Sequence, residues 1–246
     1  MFSIFKKKPT GKVDLSGLGT DMHSHLLPGI DDGSPDEKTS LELIKGLQEL
    51  GYSKFITTPH ILSGMYDNTP ETINGAYGTL QNHLKISGAE VAISQAAEYF
   101  LDNHFDNLLE TKAPLLTVKD KLVLVEFSFV TISSNFKQQL FQLQINGYQP
   151  ILAHPERYLY LSRTKEVYET LKSAGCLFQV NLLSLAGYYG KPSQELAQYL
   201  IKEDYVDLLG TDLHHFRHLD ALRNASHMMP VISSLLDSGK LLNPTL

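Results

Sequence analysis

The stretch Leu122–Phe127 reads LVLVEF, and it is the clearest indication of the fold class. Its apolar run predicts a strand buried on both faces, as in a parallel sheet covered by helices. Six further short apolar runs lie on either side of it, from Thr20–His25 to Val206–Gly210, and nearly all are separated by amphipathic helical segments. This alternation predicts an α/β fold with a parallel sheet, either open or closed into a barrel.

Helix ends are marked by capping residues. Ser34 is the expected N-cap of the first helix, with Pro35 at the first helical position and Glu37 completing a capping box. Gly51 is expected to end this helix in a left-handed conformation. Thr69 and Pro70 open the next helix in the same way.

Composition limits the class of protein. The chain has 246 residues, of which 42% are hydrophobic and 20% charged, as is usual for a soluble globular protein. We expect an N-terminal extension over residues 1–18, with a solvated lysine cluster at Lys6–Lys8, and a single domain over residues 19–246. A net charge of −6 argues against nucleic acid as the main partner.

The cysteine content and the apolar runs predict where the protein works. Cys176 is the only cysteine, which excludes a disulfide framework and a cysteine-based zinc cluster. No stretch approaches the roughly 20 apolar residues of a membrane span, and the N-terminus lacks the order of a secretory signal. We therefore expect a cytoplasmic protein without stable membrane insertion.

Histidines and carboxylates fall at or just beyond the ends of the predicted strands. They are His23, His25, Asp32, His60, Glu98, Glu126, His154, Asp212 and His214. In parallel α/β folds the C-terminal ends of the strands form the active-site face, so these side chains should converge on one mouth.

Three of these positions carry the strongest signal. His23 and His25 are alternate residues on a strand and should present both imidazoles to one side. Glu126 interrupts a buried apolar strand, where an unpaired carboxylate would be very costly. It requires a cation or a hydrogen-bond network, and a buried ion pair is the alternative. A single histidine after a strand is more often an ordinary loop residue.

Nine ligands exceed the needs of one metal ion, and they suit two or three ions with some ligands bridging. The set contains nitrogen and oxygen but no sulfur, which favours Mn²⁺ or Fe²⁺ and leaves Zn²⁺ or Mg²⁺ as alternatives. Such a centre can generate hydroxide at neutral pH and hold an oxyanion. The reaction class indicated is metal-assisted hydrolysis.

Two arginines suggest that a phosphate is bound. Arg157 lies three residues after His154, and Arg217 lies three residues after His214. A guanidinium group can bind phosphate in a bidentate manner. The alternative is a loop salt bridge to Glu156 or to Asp220. Cys176 is not followed by the Cys-x₅-Arg pattern of a nucleophilic phosphatase and is expected in the core.

The ordered motifs resemble those of the PHP (polymerase and histidinol phosphatase) superfamily. Within it, the chain is most similar to the manganese-dependent protein-tyrosine phosphatases of capsule and exopolysaccharide loci, the CpsB/YwqE type. The motifs are Asp21–His25 (DMHSH), Asp31–Gly33 (DDG), Thr58–His60 (TPH), Ala97–Tyr99 (AEY), Glu126–Ser128 (EFS), Ala153–Tyr158 (AHPERY) and Thr211–His214 (TDLH).

The resemblance implies a distorted (β/α)₇ barrel with a trinuclear metal site whose ligand positions match the nine residues above. Arg157 matches the phosphate-binding arginine of the family. The spacing after the Asp-x-His motif differs here, so Arg217 or Arg223 would be the second one. The implied substrate is phosphotyrosine in the tail of a bacterial tyrosine kinase that controls polysaccharide export.

Two other classes of function fit the same residues. One is a small-molecule phosphoesterase of the histidinol phosphatase kind, or an amidohydrolase, on the same scaffold. The other is a metal-loaded binding module that recognises a phosphorylated tail without cleaving it.

Overall fold

The computed structural model describes residues 11–246, and its strands are short and mostly buried. The strand segments are β1 (Thr20–Asp21), β2 (Lys54–Thr57), β3 (His60–Ile61), β4 (Ala92–Gln95), β5 (Glu98–Phe100), β6 (Leu122–Glu126), β7 (Gln149–Ala153), β8 (Leu177–Asn181) and β9 (Leu208–Gly210). The helices are α1 (Glu37–Glu49), α2 (Pro70–Ile86), α3 (Asn103–Glu110), α4 (Phe136–Ile145), α5 (Glu166–Ser173), α6 (Leu182–Leu185), α7 (Lys191–Lys202), α8 (Phe216–Arg223) and α9 (Met229–Asp237).

These segments form seven parallel strand lines, because β2 continues into β3 and β4 continues into β5 after short interruptions. One sheet has the order β1-β2-β4 and the other β3-β5-β6-β7-β8-β9. A parallel bridge between Ser24 and Leu213 joins the first line to the last, and the amide of His25 donates to the carbonyl of Leu213 at 2.9 Å. The sheet therefore closes, and the predicted (β/α)₇ barrel is confirmed.

Alternation along the strands decides which side chains face the barrel interior. Leu124 packs in a small cluster with Ile151 and Leu208, whereas Val123 and Val125 join the larger core beneath the helices. Because side chains alternate with period two, Glu126 shares the inward face of Leu124. The LVLVE strand thus delivers one carboxylate to the C-terminal end of the barrel interior.

The helix signals are confirmed in most places and wrong in one. Thr69 caps α2 with Pro70 at its first turn, and Gly51 follows α1 with a φ of 107°. The N-cap of α1 is Asp36 rather than Ser34, since the Asp36 carboxylate accepts from the amide of Thr39 at 2.7 Å.

Two other helical regions differ from expectation. The sequence pattern did not predict α3. This helix has only two turns, is capped by Asp102 and buries Phe105 and Leu109. The expected single helix near residues 218–237 is divided into α8 and α9 by a 3-10 turn at Ser226–Met228.

The expected extension over residues 1–18 falls partly outside the described residues, and so does the lysine cluster Lys6–Lys8. Within the described part, Val13, Leu15 and Leu18 are buried in the main core. Packing of this domain therefore begins before residue 19. Each helix within residues 11–246 is too short or too polar to span a bilayer.

We predict that the thiol of Cys176 is unreactive in the folded protein. The side chain is buried, and burial raises its pKa to about 12, so the reactive thiolate is scarce at neutral pH. Ellman's reagent should detect no thiol in native buffer and one thiol per chain in guanidinium chloride. Rapid labelling of one full equivalent in native buffer would contradict this packing.

Candidate metal centre

All nine predicted ligand residues meet at the C-terminal mouth of the barrel. Six of them are buried, and the other three, Asp32, His60 and His214, lie nearer the opening. They fall into overlapping groups whose ligand atoms lie within 4.8 Å of one another. Here we name three clusters by position: inner (His23, His25, Glu98, Asp212), deep (His60, Glu98, Glu126, His154) and outer (His25, Asp32, His60, His214).

In the inner cluster, the Nε2 atoms of His23 and His25 lie close to one carboxylate oxygen of Glu98 and one of Asp212. Nε2 of His23 lies 3.2 Å from Oε2 of Glu98 and 3.4 Å from Nε2 of His25. Oδ1 of Asp212 lies 3.5 Å from both Nε2 atoms. Ligands placed about 2.1 Å from one cation are about 3.0–3.4 Å apart, depending on the geometry. The observed spacing fits a single divalent ion.

Glu98 links the inner cluster to the deep one. Its Oε2 lies 3.2 Å from Nδ1 of His60, and its Oε1 lies 3.1 Å from Nε2 of His154. Oε1 of Glu126 lies 3.1 Å from the same His60 atom. Oε2 of Glu98 therefore faces His23 of the inner cluster as well as His60 of the deep one, and its carboxylate contacts both clusters.

The outer cluster surrounds Asp32 at the opening. Its Oδ1 lies 3.5 Å from Nε2 of His60 and 3.5 Å from Nε2 of His214. The imidazoles of His25 and His214 stack with centroids 3.9 Å apart. Asp32 is about half exposed, so this cluster is the one that solvent or substrate reaches first.

Two buried atoms support occupation of these clusters by cations. Nδ1 of His60 and Oε1 of Glu98 are buried and make no hydrogen bond with any residue of the described chain. Both atoms lie 3.1–3.2 Å from other ligand atoms without hydrogen-bond geometry, and because buried polar atoms are normally hydrogen-bonded, this arrangement fits a metal centre. The all-nitrogen-and-oxygen donor set suits Mn²⁺, Fe²⁺ or Zn²⁺.

The electrostatic field of the mouth favours positive charge. Burial alone would raise the pKa of Glu98, but the imidazoles of His23 and His60 hold it well below its ordinary range. Burial and His25 lower the pKa of His60, yet Glu98 and Glu126 raise it to about 9. The carboxylate of Glu98 therefore remains ionised and attracts cations.

Hydrogen bonds orient two of the imidazoles. Nδ1 of His25 lies 2.8 Å from Oδ2 of Asp31, and Nδ1 of His214 lies 2.9 Å from the carbonyl oxygen of Asp212. Each acceptor keeps the proton on Nδ1 and leaves Nε2 free to bind a metal. Asp31 was not among the predicted ligands, and its signal was its place beside Asp32 in the DDG motif.

Backbone strain occurs at two ligand positions. His154 has a φ of 35° and Asp212 a φ of 49°, both in the left-handed region. Non-glycine residues there cost about 1–3 kcal/mol and persist when the surroundings hold them. The turns aim both side chains into the mouth directly after their strands.

Arg157 lies at the wall of the same cavity. Its Nη1 donates to Oδ2 of Asp212 at 2.9 Å. Its guanidinium group lies between two rings, 4.6 Å from the centroid of Phe129 and 4.2 Å from that of Tyr189. Both aromatic residues line a cavity of about 220 Å³ together with six of the nine ligands. This position allows Arg157 to contact an anion held above the clusters.

The two other candidate arginines lie elsewhere. Arg217 is exposed on the first turn of α8 and is not among the described residues that line the cavity. Arg223 forms ion pairs with Glu49 at 2.8 Å and with Asp220 at 3.3 Å on the outer surface. A phosphate-binding role for Arg217 stays a prediction.

Several lining residues were missed from the sequence. Phe129 follows β6 and His218 lies on α8, and both line the cavity, but neither stands in a sequence pattern that separates it from surface residues. Tyr189 was only one of several tyrosines near strand ends. The polar residues Gln179 and Asn181 were also missed, although they alternate on an otherwise apolar strand, which is a usable signal.

We predict that Gly33→Ala weakens metal binding. A Cβ at Gly33 would lie 2.3 Å from the carbonyl oxygen of His25 and 2.9 Å from Oδ1 of Asp31, so the loop would have to move away from His25. Equilibrium dialysis should show at least about a tenfold rise in the Mn²⁺ dissociation constant. Gly75→Ala, at an open helical position, is the matched control. Equal affinity in both variants would contradict the role of this loop.

The chain matches a family model described as capsular polysaccharide synthesis, CpsB/CapC, over residues 19–229. It is 29% identical over 198 residues to the tyrosine-protein phosphatase YwqE of Bacillus subtilis, covering 80% of this chain and 78% of that protein. It is 26% identical over 201 residues to the tyrosine-protein phosphatase CpsB of Streptococcus pneumoniae, covering 79% and 82%.

A solved structure agrees with these sequence matches. It comes from work on YwqE from Bacillus subtilis and CpsB from Streptococcus pneumoniae, described as unique metal-dependent tyrosine phosphatases. The TM-score is 0.77 at 26% identity, with 85% of each chain covered. The family model covers most of this chain, and the structural match extends over the barrel. The chain therefore belongs to the CpsB/CapC family of capsular polysaccharide synthesis.

Proposed function

We propose that this protein is a metal-dependent phosphatase that hydrolyses phosphotyrosine in a protein. The observation that carries the proposal is the position of Arg157, held between two aromatic rings beside the three ligand clusters. The relatives named above are tyrosine-protein phosphatases, which agrees with this reading.

The nine residues would hold two or three divalent ions, with Mn²⁺ as the first choice. The nine residues form four overlapping groups of ligand atoms that share His25, His60 and Glu98, which supports more than one ion. When bound, such ions neutralise phosphoryl oxygens and lower the pKa of water, so that hydroxide becomes available as the nucleophile.

The protein's own side chains would bind and orient the substrate. Arg157 would donate to the phosphoryl oxygens, while Asp212 keeps its guanidinium group in place. Phe129 and Tyr189 would contact the phenyl ring at the entrance, where aromatic faces favour stacked or edge-on packing. A planar aryl phosphate therefore fits this cavity better than a bulky sugar phosphate.

The reaction consumes one water molecule. The oxygen of water forms a bond to phosphorus as the bond between phosphorus and the tyrosine oxygen breaks. The water supplies the proton that the departing phenolate takes up, and inorganic phosphate remains. Arg157 stabilises the charge on the transferring group. The only thiol, Cys176, is buried in the core and takes no part.

The substrate we propose is phosphotyrosine in the tail of a bacterial tyrosine kinase that controls capsule or exopolysaccharide synthesis. The family's link to capsular polysaccharide synthesis supports this choice. We place the reaction in the cytoplasm, since a single reduced thiol suits that compartment. Residues 19–246 would form the catalytic domain, joined in its core by Val13, Leu15 and Leu18 of the preceding segment.

We predict that the protein hydrolyses para-nitrophenyl phosphate and phosphotyrosine peptides with Mn²⁺. Activity should vanish in excess EDTA and return when Mn²⁺ is added back. Full activity in the chelator, or none with any divalent ion, would refute the proposal. Preference for histidinol phosphate or an N-acetyl sugar would favour the alternative enzymes, and tight phosphopeptide binding without phosphate release would favour a binding module.

His23→Ala should abolish this activity while the fold survives. The variant removes a ligand atom from the inner cluster but leaves the larger core beneath the helices unchanged. Phosphate release should fall to background, and the circular dichroism spectrum should stay that of the wild type. His104→Ala, on the exposed face of α3, is the control. Wild-type turnover by His23→Ala would contradict the site.

Arg157→Lys should reduce kcat/KM for phosphotyrosine peptide about 10- to 100-fold. Lysine keeps the charge but loses the planar fork and the stacking between Phe129 and Tyr189. Inhibition by inorganic phosphate should weaken in parallel, because the same contact is lost. Arg163→Lys, an exposed arginine outside the cavity, is the control. An unchanged inhibition constant would show that Arg157 does not bind the phosphoryl group.

A further inference from the structure

Strand β8 supplies none of the nine predicted ligands, yet two of its polar residues lie among them. Gln179 and Asn181 are fully buried and share the inward face of the strand. Oε1 of Gln179 lies 2.7 Å from Nδ1 of His23, and Nδ2 of Asn181 donates to Oδ2 of Asp212 at 2.7 Å. Between them, Nε2 of Gln179 donates to Oδ1 of Asn181 at 2.9 Å.

The direction of this chain of hydrogen bonds is fixed at its carboxylate end. An ionised carboxylate only accepts, so Asn181 must present its amino group to Asp212. Its carbonyl oxygen then faces Gln179, which must present its own amino group in return. Gln179 is left with its carbonyl oxygen facing His23.

A backbone amide at the other end requires the same orientation. The N–H of His154 can only donate, and it faces Oε1 of Gln179 at 3.4 Å. With an oxygen in that position, Nδ1 of His23 must carry the proton. The lone pair of its Nε2 therefore points into the inner cluster, where Glu98 and Asp212 lie.

Packing holds the two amides in place. A Cβ at Gly210 of the neighbouring β9 would lie 2.7 Å from Nε2 of Gln179 and 2.8 Å from Cβ of His23, so a side chain there would displace them. On the other side, the backbone N–H of Asn181 donates to Oε1 of Glu156 at 3.0 Å. Gly210 thus packs against the Gln179 amide, and Glu156 holds the backbone at Asn181.

We propose that Gln179 and Asn181 are positioning residues that align His23 and Asp212 for one cation of the inner cluster. They form a hydrogen-bonded relay that joins two ligands of the same ion. The inference rests on the metal centre of the proposed function. Removing partners that orient ligands typically costs about 10- to 100-fold in metal affinity or activity.

The test measures Mn²⁺ affinity directly, without turnover. Gln179→Met and Asn181→Leu keep approximate size and remove the relay, and Gln139→Met removes a buried amide on α4, where its Nε2 faces the carbonyl oxygen of Asp102. Isothermal titration should show dissociation constants raised about 10- to 100-fold in the first two variants and unchanged in the control. Melting temperatures without metal should fall to a similar extent in Gln179→Met and Gln139→Met, which separates positioning from folding.

The double variant tests whether the two amides act as one unit. Either single substitution already breaks the relay, so the second adds little. The fold-loss of Mn²⁺ affinity in the double variant should therefore be smaller than the product of the two single fold-losses. Wild-type Mn²⁺ affinity in Gln179→Met, or losses that multiply, would overturn the relay. A wild type that binds no divalent ion would overturn it together with the metal centre.

Failure of the proposed phosphatase activity can be told apart from failure of the relay. A wild type that binds Mn²⁺ but leaves phosphotyrosine intact refutes the phosphatase. If the variants then still lose Mn²⁺ affinity, the relay of Gln179 and Asn181 is supported independently of the reaction.

Discussion

Glu98 is the group on which the rest of the site depends. Its carboxylate has no exposure to solvent, and three imidazoles, those of His23, His60 and His154, lie 3.1–3.2 Å from its oxygens. A buried carboxylate is costly unless positive charge compensates it, so the partners must come from several strands at once. The closed barrel meets this need because all its strand lines end at one mouth, with Glu98 near the centre.

Much of this arrangement could be predicted from the sequence because it follows local rules. Leu122–Phe127 and similar runs predict buried parallel strands, and the rule that their C-terminal ends meet brings His23 and Asp212 together despite their distance along the chain. The closure of the sheet could not be predicted from the pattern alone, because open sheets and barrels share it. Closure depends on the curvature that accumulates over all the strands. In the structure it is seen at the bridge between Ser24 and Leu213.

The remaining parts of the site depend on tertiary packing. Phe129 and Tyr189 come from loops after different strands, and only the fold places their rings on both sides of Arg157. The motif spacing could not decide between Arg217 and Arg223, because spacing along a loop does not determine where a side chain points. Likewise, the cap of α1 was predicted at Ser34, and the backbone geometry places it at Asp36, two residues later.

The central claim is that the convergent histidines and carboxylates form a binding site for several divalent ions. Diffraction from crystals grown with Mn²⁺, recorded on both sides of the manganese absorption edge, tests it most directly. The account predicts two or three anomalous peaks, one in the inner cluster beside His23 and Asp212 and the others near Glu126 and Asp32. Anomalous density confined to the protein surface, with none among these side chains, would contradict it.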